Sequence, residues 1–156
     1  FSQNNPDHSL ANLILAQNYL VNEPSKAVAK YQAIVENHPK HFVALNNLAY
    51  LLTQQSQYEQ ALTYAERALA LAPDNISVLD TVAQIHIALD APNLALDYYE
   101  KAFAQEVSNK EIVLNYIEVL LQSNKSLIAQ RTIDQYELSD PLSQDRLNVL
   151  KAKYNL

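Results

Sequence analysis

The chain has 156 residues, a formal net charge of −6 and no Cys. Its length suits one compact domain or a short repeat array, and the missing thiols exclude disulfides, thiol chemistry and a zinc knuckle. The eleven Lys and Arg are scattered, which argues against a nucleic-acid binder, and no apolar run reaches the roughly 18 residues of a membrane span.

Gly is absent as well. Phosphate-cradling loops and strand–turn–helix elbows lean on Gly for positive φ, so nucleotide binding and hydrolase folds are disfavoured. Met is missing even at residue 1, and the chain is expected to be a fragment or a processed product.

Taken in order, residues 1–8 are polar and read as a lead-in. A first helix pair is predicted over 9–21 and 25–37, within a repeat spanning 9–41. Ala16, Tyr19, Ala27, Tyr31 and Ile34 fall at its packing positions. Leu10, Leu13 and Ile14 make the first of these helices apolar nearly all round, a face that a neighbour should cover. The second repeat, 42–75, is the clearest. Leu45, Leu48, Ala49 and Leu52 share one face of a helix over 42–55, and Ala61, Leu62, Ala65, Ala68 and Leu69 one face of a helix over 58–71. Ser56-x-x-Glu59 has the pattern of a capping box, and Asp74 or Asn75 is placed to cap the helix after Pro73.

The third repeat, 76–109, carries Leu79, Val82, Ala83 and His86, then Ala95, Tyr99 and Ala102. Its helices are predicted over 76–89 and 92–105. The fourth, 110–140, carries Val113, Tyr116, Ile117 and Leu120, then Ala129, Ile133 and Tyr136, with helices over 110–123 and 126–138. Ser108-x-x-Glu111 again resembles a capping box. Asp140-Pro141 opens a last helix to about residue 154 within segment 141–156, where Lys151 stands in a packing slot. That helix is expected to be a terminal cap or a truncated repeat. The interval from Pro73 to Pro141 is twice that from Pro39 to Pro73, and Val107 occupies the skipped slot. A constant period of this kind, with two helices per unit, predicts a helical solenoid.

The small/large pattern Leu45, Leu48-Ala49, Leu52, Tyr58, Ala61, Ala65, Ala68 and Pro73, repeated with drift along the chain, resembles the tetratricopeptide repeat family. The resemblance implies an all-α, right-handed α–α superhelix of about four repeats plus a C-terminal helix. The runs LNNLAYLL and LDTVAQI are further similar to repeat-rich bacterial envelope proteins, among them lipoproteins of PEP-CTERM/exosortase systems. That likeness favours the periplasm or envelope over the cytoplasm.

Enzyme chemistry finds no motif. Asp80, Glu111 and Glu118 offer carboxylates without a nucleophile or base at motif spacing, and solvated carboxylates explain them. His38 and His41, with His8 one repeat earlier, make an incomplete metal set. No cofactor or metal is expected. His86 reads as a half-buried core residue, and the repeated Tyr residues as helix packing.

First helices of a stacked array line its concave face. The packing positions leave Asn46, Asn47, Tyr50 and Gln54 on the inward side, with Gln17, then Asp80, Thr81 and Gln84, then Leu114, Asn115, Glu118 and Gln122. Asn47, Thr81 and Asn115 recur at one repeat position. The family resemblance implies that an Asn there pairs with the main chain of an extended peptide, for which a primary amide has the matching donor and acceptor. No Lys or Arg falls among these inward positions. Capture of an acidic chaperone tail, which family members achieve with such cations, is therefore disfavoured. A neutral or basic protein segment is the expected partner, with no nucleic acid and no direct membrane contact. The alternative is a structural spacer, or a repeat segment of a larger bacterial envelope protein that self-associates, with the N-terminal helix as the expected contact.

Overall fold

The structure is a computed structural model and describes residues 13, 14, 16, 18, 19 and 23–156. The lead-in over 1–8, His8, Leu10 and Gln17 lie outside the described residues. Helical backbone at 13–14, 16 and 18–19 precedes eight helices. These are α1 (Pro24–Asn37), α2 (Phe42–Gln54), α3 (Tyr58–Leu71), α4 (Ile76–Ala88), α5 (Pro92–Phe103), α6 (Lys110–Gln122), α7 (Ser126–Gln135) and α8 (Pro141–Tyr154). No strand occurs among the described residues. None of the helices there is long and apolar enough to cross a membrane.

From α1 to α7 each helix packs on the next, most extensively within the pairs α2–α3 and α4–α5. Across repeats α2 meets α4, α4 meets α6, and α6 meets α8, whereas the second helices α1, α3, α5 and α7 make no comparable contacts with one another. The first helices are thus an inner layer and the second helices an outer one, the architecture of a helical-repeat superhelix. Burial follows the helical spacing. Leu45, Leu48, Ala49, Ala61, Ala65, Ala68, Leu79, Val82, Ala83, Ala95, Ala102, Val113, Ile117, Leu120 and Ala129 are fully buried. The alanines let paired backbones approach closely, and the larger residues fill the space between repeats. Two apolar clusters share this interior, one centred on α2–α3 and the other on α6. Val107, standing in the skipped Pro slot, is buried in the second cluster.

The helix ends repeat with the same period as the prolines. His41, Asn75 and Asn109, each one repeat apart, are N-caps whose side chains accept from Ala44 N, Val78 N and Glu111 N at 3.2, 3.2 and 2.9 Å. The capping boxes expected from Ser56 and Ser108 are not formed. Asn109 caps α6 in place of Ser108. Ser56 instead sits in the left-handed region at φ 59°, as do Asp90 (57°) and Asn124 (58°), its equivalents in the next two repeats. At each of these positions its own amide and the one after it close a Schellman turn. Ser56 N donates to Thr53 O and Gln57 N to Leu52 O, with the same pattern at Asp90 and Asn124. Arg67 to Pro39 O (3.3 Å) and Lys101 to Pro73 O (2.8 Å) repeat a third link between units.

Two predicted helices end early. The chain leaves α5 at Phe103 and α7 at Gln135. Extended backbone at Tyr136 carries Leu138 into the second cluster and sets Asp140 as the cap of α8. Leu147 and Leu150 bury the inner face of α8, while Lys151 is half-buried and Leu142 and Val149 remain 83% and 64% exposed. This helix therefore closes the groove on one side and faces solvent on the other. At the other end Leu13 is half-buried and Ile14 is 50% exposed.

Candidate functional site

Two adjoining clefts of the inner layer hold most of the predicted residues. The larger, about 530 Å³, is lined by Asn46, Asn47 and Tyr50 from α2, Ser77, Asp80, Thr81 and Gln84 from α4, and Asn109, Glu111 and Ile112 at the start of α6. Six of the twelve positions expected on the inward side, Asn46, Asn47, Tyr50, Asp80, Thr81 and Gln84, therefore meet there. Asn115 and Glu118 line a cleft of about 250 Å³ with Thr53, Tyr58, Gln84, Ile87, Ala88 and Arg146.

Not all of these side chains stand free. Asn46, Thr81 and Asn115 are buried (9%, 4% and 7% exposed), where the repeat spacing had set them on the open side. Leu114 is buried too. The reason is the closeness of the inner layer, in which α4 packs against α2 and α6, and α6 against α8, so little of each helix reaches solvent. Thr81 turns its hydroxyl onto Ser77 O of its own helix (3.0 Å). Asn47 Nδ2 donates to Tyr31 Oη at 2.9 Å. Asn46 Oδ1 is buried with no partner. Tyr50 is exposed.

Asp80 is the hub. Its Oδ1 accepts from Tyr99 Oη (2.7 Å) and Asn115 Nδ2 (3.0 Å), and its Oδ2 from Gln84 Nε2 (2.8 Å). Burial raises the Asp80 pKa, the three hydrogen bonds offset part of that rise, and the charge of Glu111 adds to it. Tyr99, fully buried, is pushed well above the usual phenol range by burial and then by the Asp80 charge. Tyr50 is raised by burial and by the negative charges of Glu111 and Asp80. All three donors to Asp80 are neutral, so its charge is hydrogen-bonded but not neutralised.

A cation does enter the groove, contrary to the expectation from the inward positions of the first helices. It comes from α8. Arg146 Nη2 donates to Asn115 Oδ1 at 2.6 Å and to Glu118 Oε2 at 3.2 Å, and Lys153 Nζ lies 3.5 Å from Glu118 Oε1. Arg146, Tyr31 and Tyr99 escaped the sequence reading as parts of the groove. One signal was available: Tyr31 stands as far before Asn47 as Tyr99 does before Asn115, while Ala65 holds the same offset before Thr81. The amide recurs where the preceding outer helix carries a phenol.

The histidines have local roles. His41 Nδ1 caps α2, and His38 is the C-cap residue of α1. His86 stacks on Tyr98 with ring centroids 5.5 Å apart, and burial lowers its pKa.

Comparison with known proteins places this geometry. Residues 42–105 match the family model described as tetratricopeptide repeat. Tetratricopeptide repeat protein 8 of Caenorhabditis elegans is 27% identical over 95 residues, which is 61% of this chain and 19% of that protein. The chain thus spans about a fifth of that relative's length. Among solved structures, a tetratricopeptide repeat protein from Parabacteroides merdae ATCC 43184 superposes with a TM-score of 0.70 at 16% identity, covering 92% of this chain and 59% of that one. YrrB, described as a TPR protein with an unusual peptide-binding site, gives 0.68 at 18% identity, covering 94% and 78%. A double mutant of MamA RS-1 gives 0.70 at 15% identity, covering 95% and 78%. Residues 42–105 therefore match the tetratricopeptide repeat, and the chain has the fold of a tetratricopeptide-repeat solenoid.

Proposed function

We propose that the chain is a non-enzymatic protein–protein interaction scaffold that binds an extended, neutral or basic peptide segment in its polar, mildly acidic groove. The observation that carries this reading is the larger cleft, where Asn46, Asn47, Tyr50, Asp80, Thr81, Gln84 and Glu111 converge from three repeats without a Lys or Arg in the lining. Asp80 accepts from three neutral donors that hold its carboxylate in place without neutralising it, which suits recognition of a positive group better than proton transfer. YrrB, which shares the fold, is described as having a peptide-binding site. With this reading goes the envelope location suggested by the LNNLAYLL and LDTVAQI runs, checked by fractionating the source cells.

A random-peptide selection against the folded chain tests the proposal. Asn47 and Asn115 already carry internal bonds, so the control is a Tyr50→Ala/Glu111→Gln double variant, both positions being exposed. Peptides enriched by the unaltered chain and not by the variant support the groove. Equal enrichment by both, or none by either, rejects it. A second reading, end-to-end self-association, is favoured by the exposed Leu142 and Val149 of α8. Light scattering at high concentration checks it, and a strict monomer counts against it.

A further inference from the structure

Resting on that reading, we propose that the cleft between α2, α4 and α6 takes an arginine side chain of the bound segment, with its guanidinium between Asp80, Glu111 and Tyr50. The neighbouring cleft of the same groove already shows the mode. There the Arg146 guanidinium is held by an amide oxygen, Asn115 Oδ1, and by a carboxylate, Glu118 Oε2, one helical turn apart on α6. In the larger cleft the carboxylates are Asp80 and Glu111, and the amides include Asn46 and Asn47, while Gln84 is engaged with Asp80 and Asn109 caps α6. No cation reaches these carboxylates among the described ion pairs.

A second observation is an unpartnered polar side chain in the lining. Asn46 lines this cleft, is nine-tenths buried, and its Oδ1 has no hydrogen-bond partner. Nearly all buried acceptors in folded proteins are satisfied. Oδ1 is closed off from the cleft as it stands; rotation of the amide about its terminal bond exchanges oxygen and nitrogen and turns the acceptor toward an incoming N–H. Tyr50, exposed at the cleft rim, supplies an aromatic face for a cation. The spread of acceptors over three helices favours arginine over lysine. A planar fork with five N–H donors reaches several separated acceptors at once, whereas an ammonium acts as a point charge.

The probe is the peptide Ac-Ala-Ala-Arg-Ala-Ala-NH2, titrated into the isotopically labelled chain and followed by amide chemical shifts. Its citrulline and lysine counterparts are run alongside. The expected result is a cluster of shifts over 46–50, 77–84 and 109–112. The dissociation constant should weaken about tenfold or more for citrulline and for the Glu111→Gln variant, and hold in Asp97→Asn, an exposed carboxylate outside the cleft. Equal binding of the citrulline or lysine peptide, shifts elsewhere, or no binding overturns the arginine assignment. If the random-peptide selection nonetheless enriches groove-dependent sequences lacking arginine, the groove reading stands and only this inference falls. If neither experiment finds groove-dependent binding, both fall.

Discussion

Individual residues in this chain take on work that Gly and simple surface polarity do elsewhere. Ser56, Asp90 and Asn124 hold the left-handed turn after three first helices, a conformation in which a side chain costs roughly 1 kcal/mol and which Asn and Asp tolerate best. Replacing Ser56 by Gly relieves that cost against the entropy Gly loses on folding. Ser56→Gly should therefore stabilise the array by about 0.5 kcal/mol, and Asn124→Gly by less. Urea denaturation checks the order, and a loss of stability on Ser56→Gly counts against a strained turn. Asn47 is a different case. Its bond to the buried Tyr31 hydroxyl makes it a structural residue as well as a candidate ligand. Asn47→Ala should therefore cost about 1 kcal/mol. Tyr31→Phe should remove most of that penalty. Additive losses in the double variant, measured by the same denaturation, would show that the two side chains act separately.

At the scale of whole helices, α2 and α8 bracket what the array tolerates. Ala49 is fully buried on α2, where a carboxylate has neither room nor a partner. Ala49→Glu should cost more than about 4 kcal/mol and, because each repeat contacts only its neighbours, strip amide-exchange protection first from α2 and α3. Uniform loss of protection over all helices would argue for a more cooperative fold. The terminal helix responds to pH through Asp140. The Ser143 backbone N–H, with the Ser143 and Lys110 side chains, holds its carboxyl well below the usual range. A lowered folded-state pKa gives stabilisation that is present above the ordinary carboxylate pKa and lost as pH falls. Acidification should loosen α8 before α2, and Asp140→Asn should flatten that difference in an exchange experiment run from pH 7 to pH 3.

Over the whole molecule, the solenoid was legible because its two signals are periodic. Apolar residues recurring at helical spacing define the helices, and Pro39 and Pro73 mark the repeating unit. The caps were harder to read. Ser56 has the chemistry of an N-cap, but the polypeptide needed a left-handed residue there, and no Gly in the chain advertises that need. The groove was half legible: spacing brought Asn46 through Gln84 to one face, yet did not show that Tyr31 and Tyr99 of the outer helices reach between inner ones. Nor did it show Arg146 returning from a helix that looked like a cap. The resulting network joins α4, α5, α6 and α8 through Asp80, Tyr99, Asn115, Arg146 and Glu118, and its weak point is testable. Burial raises the Asp80 pKa above that of the unfolded chain, so between the ordinary carboxylate value, about 4, and the raised one the folded state binds the extra proton. Stability contributed by Asp80 is then fullest at low pH and falls as pH rises through that window. Urea denaturation of the unaltered chain and of Asp80→Asn across pH 3 to 7 isolates this contribution, since other carboxylates cancel in the difference. The unaltered chain should lose ground to the variant as pH rises. An arginine-bearing segment seated beside Asp80 favours the ionised form and should shrink that loss. If the unaltered chain gains ground instead, the groove already neutralises Asp80 and has no unmet charge to offer a basic partner.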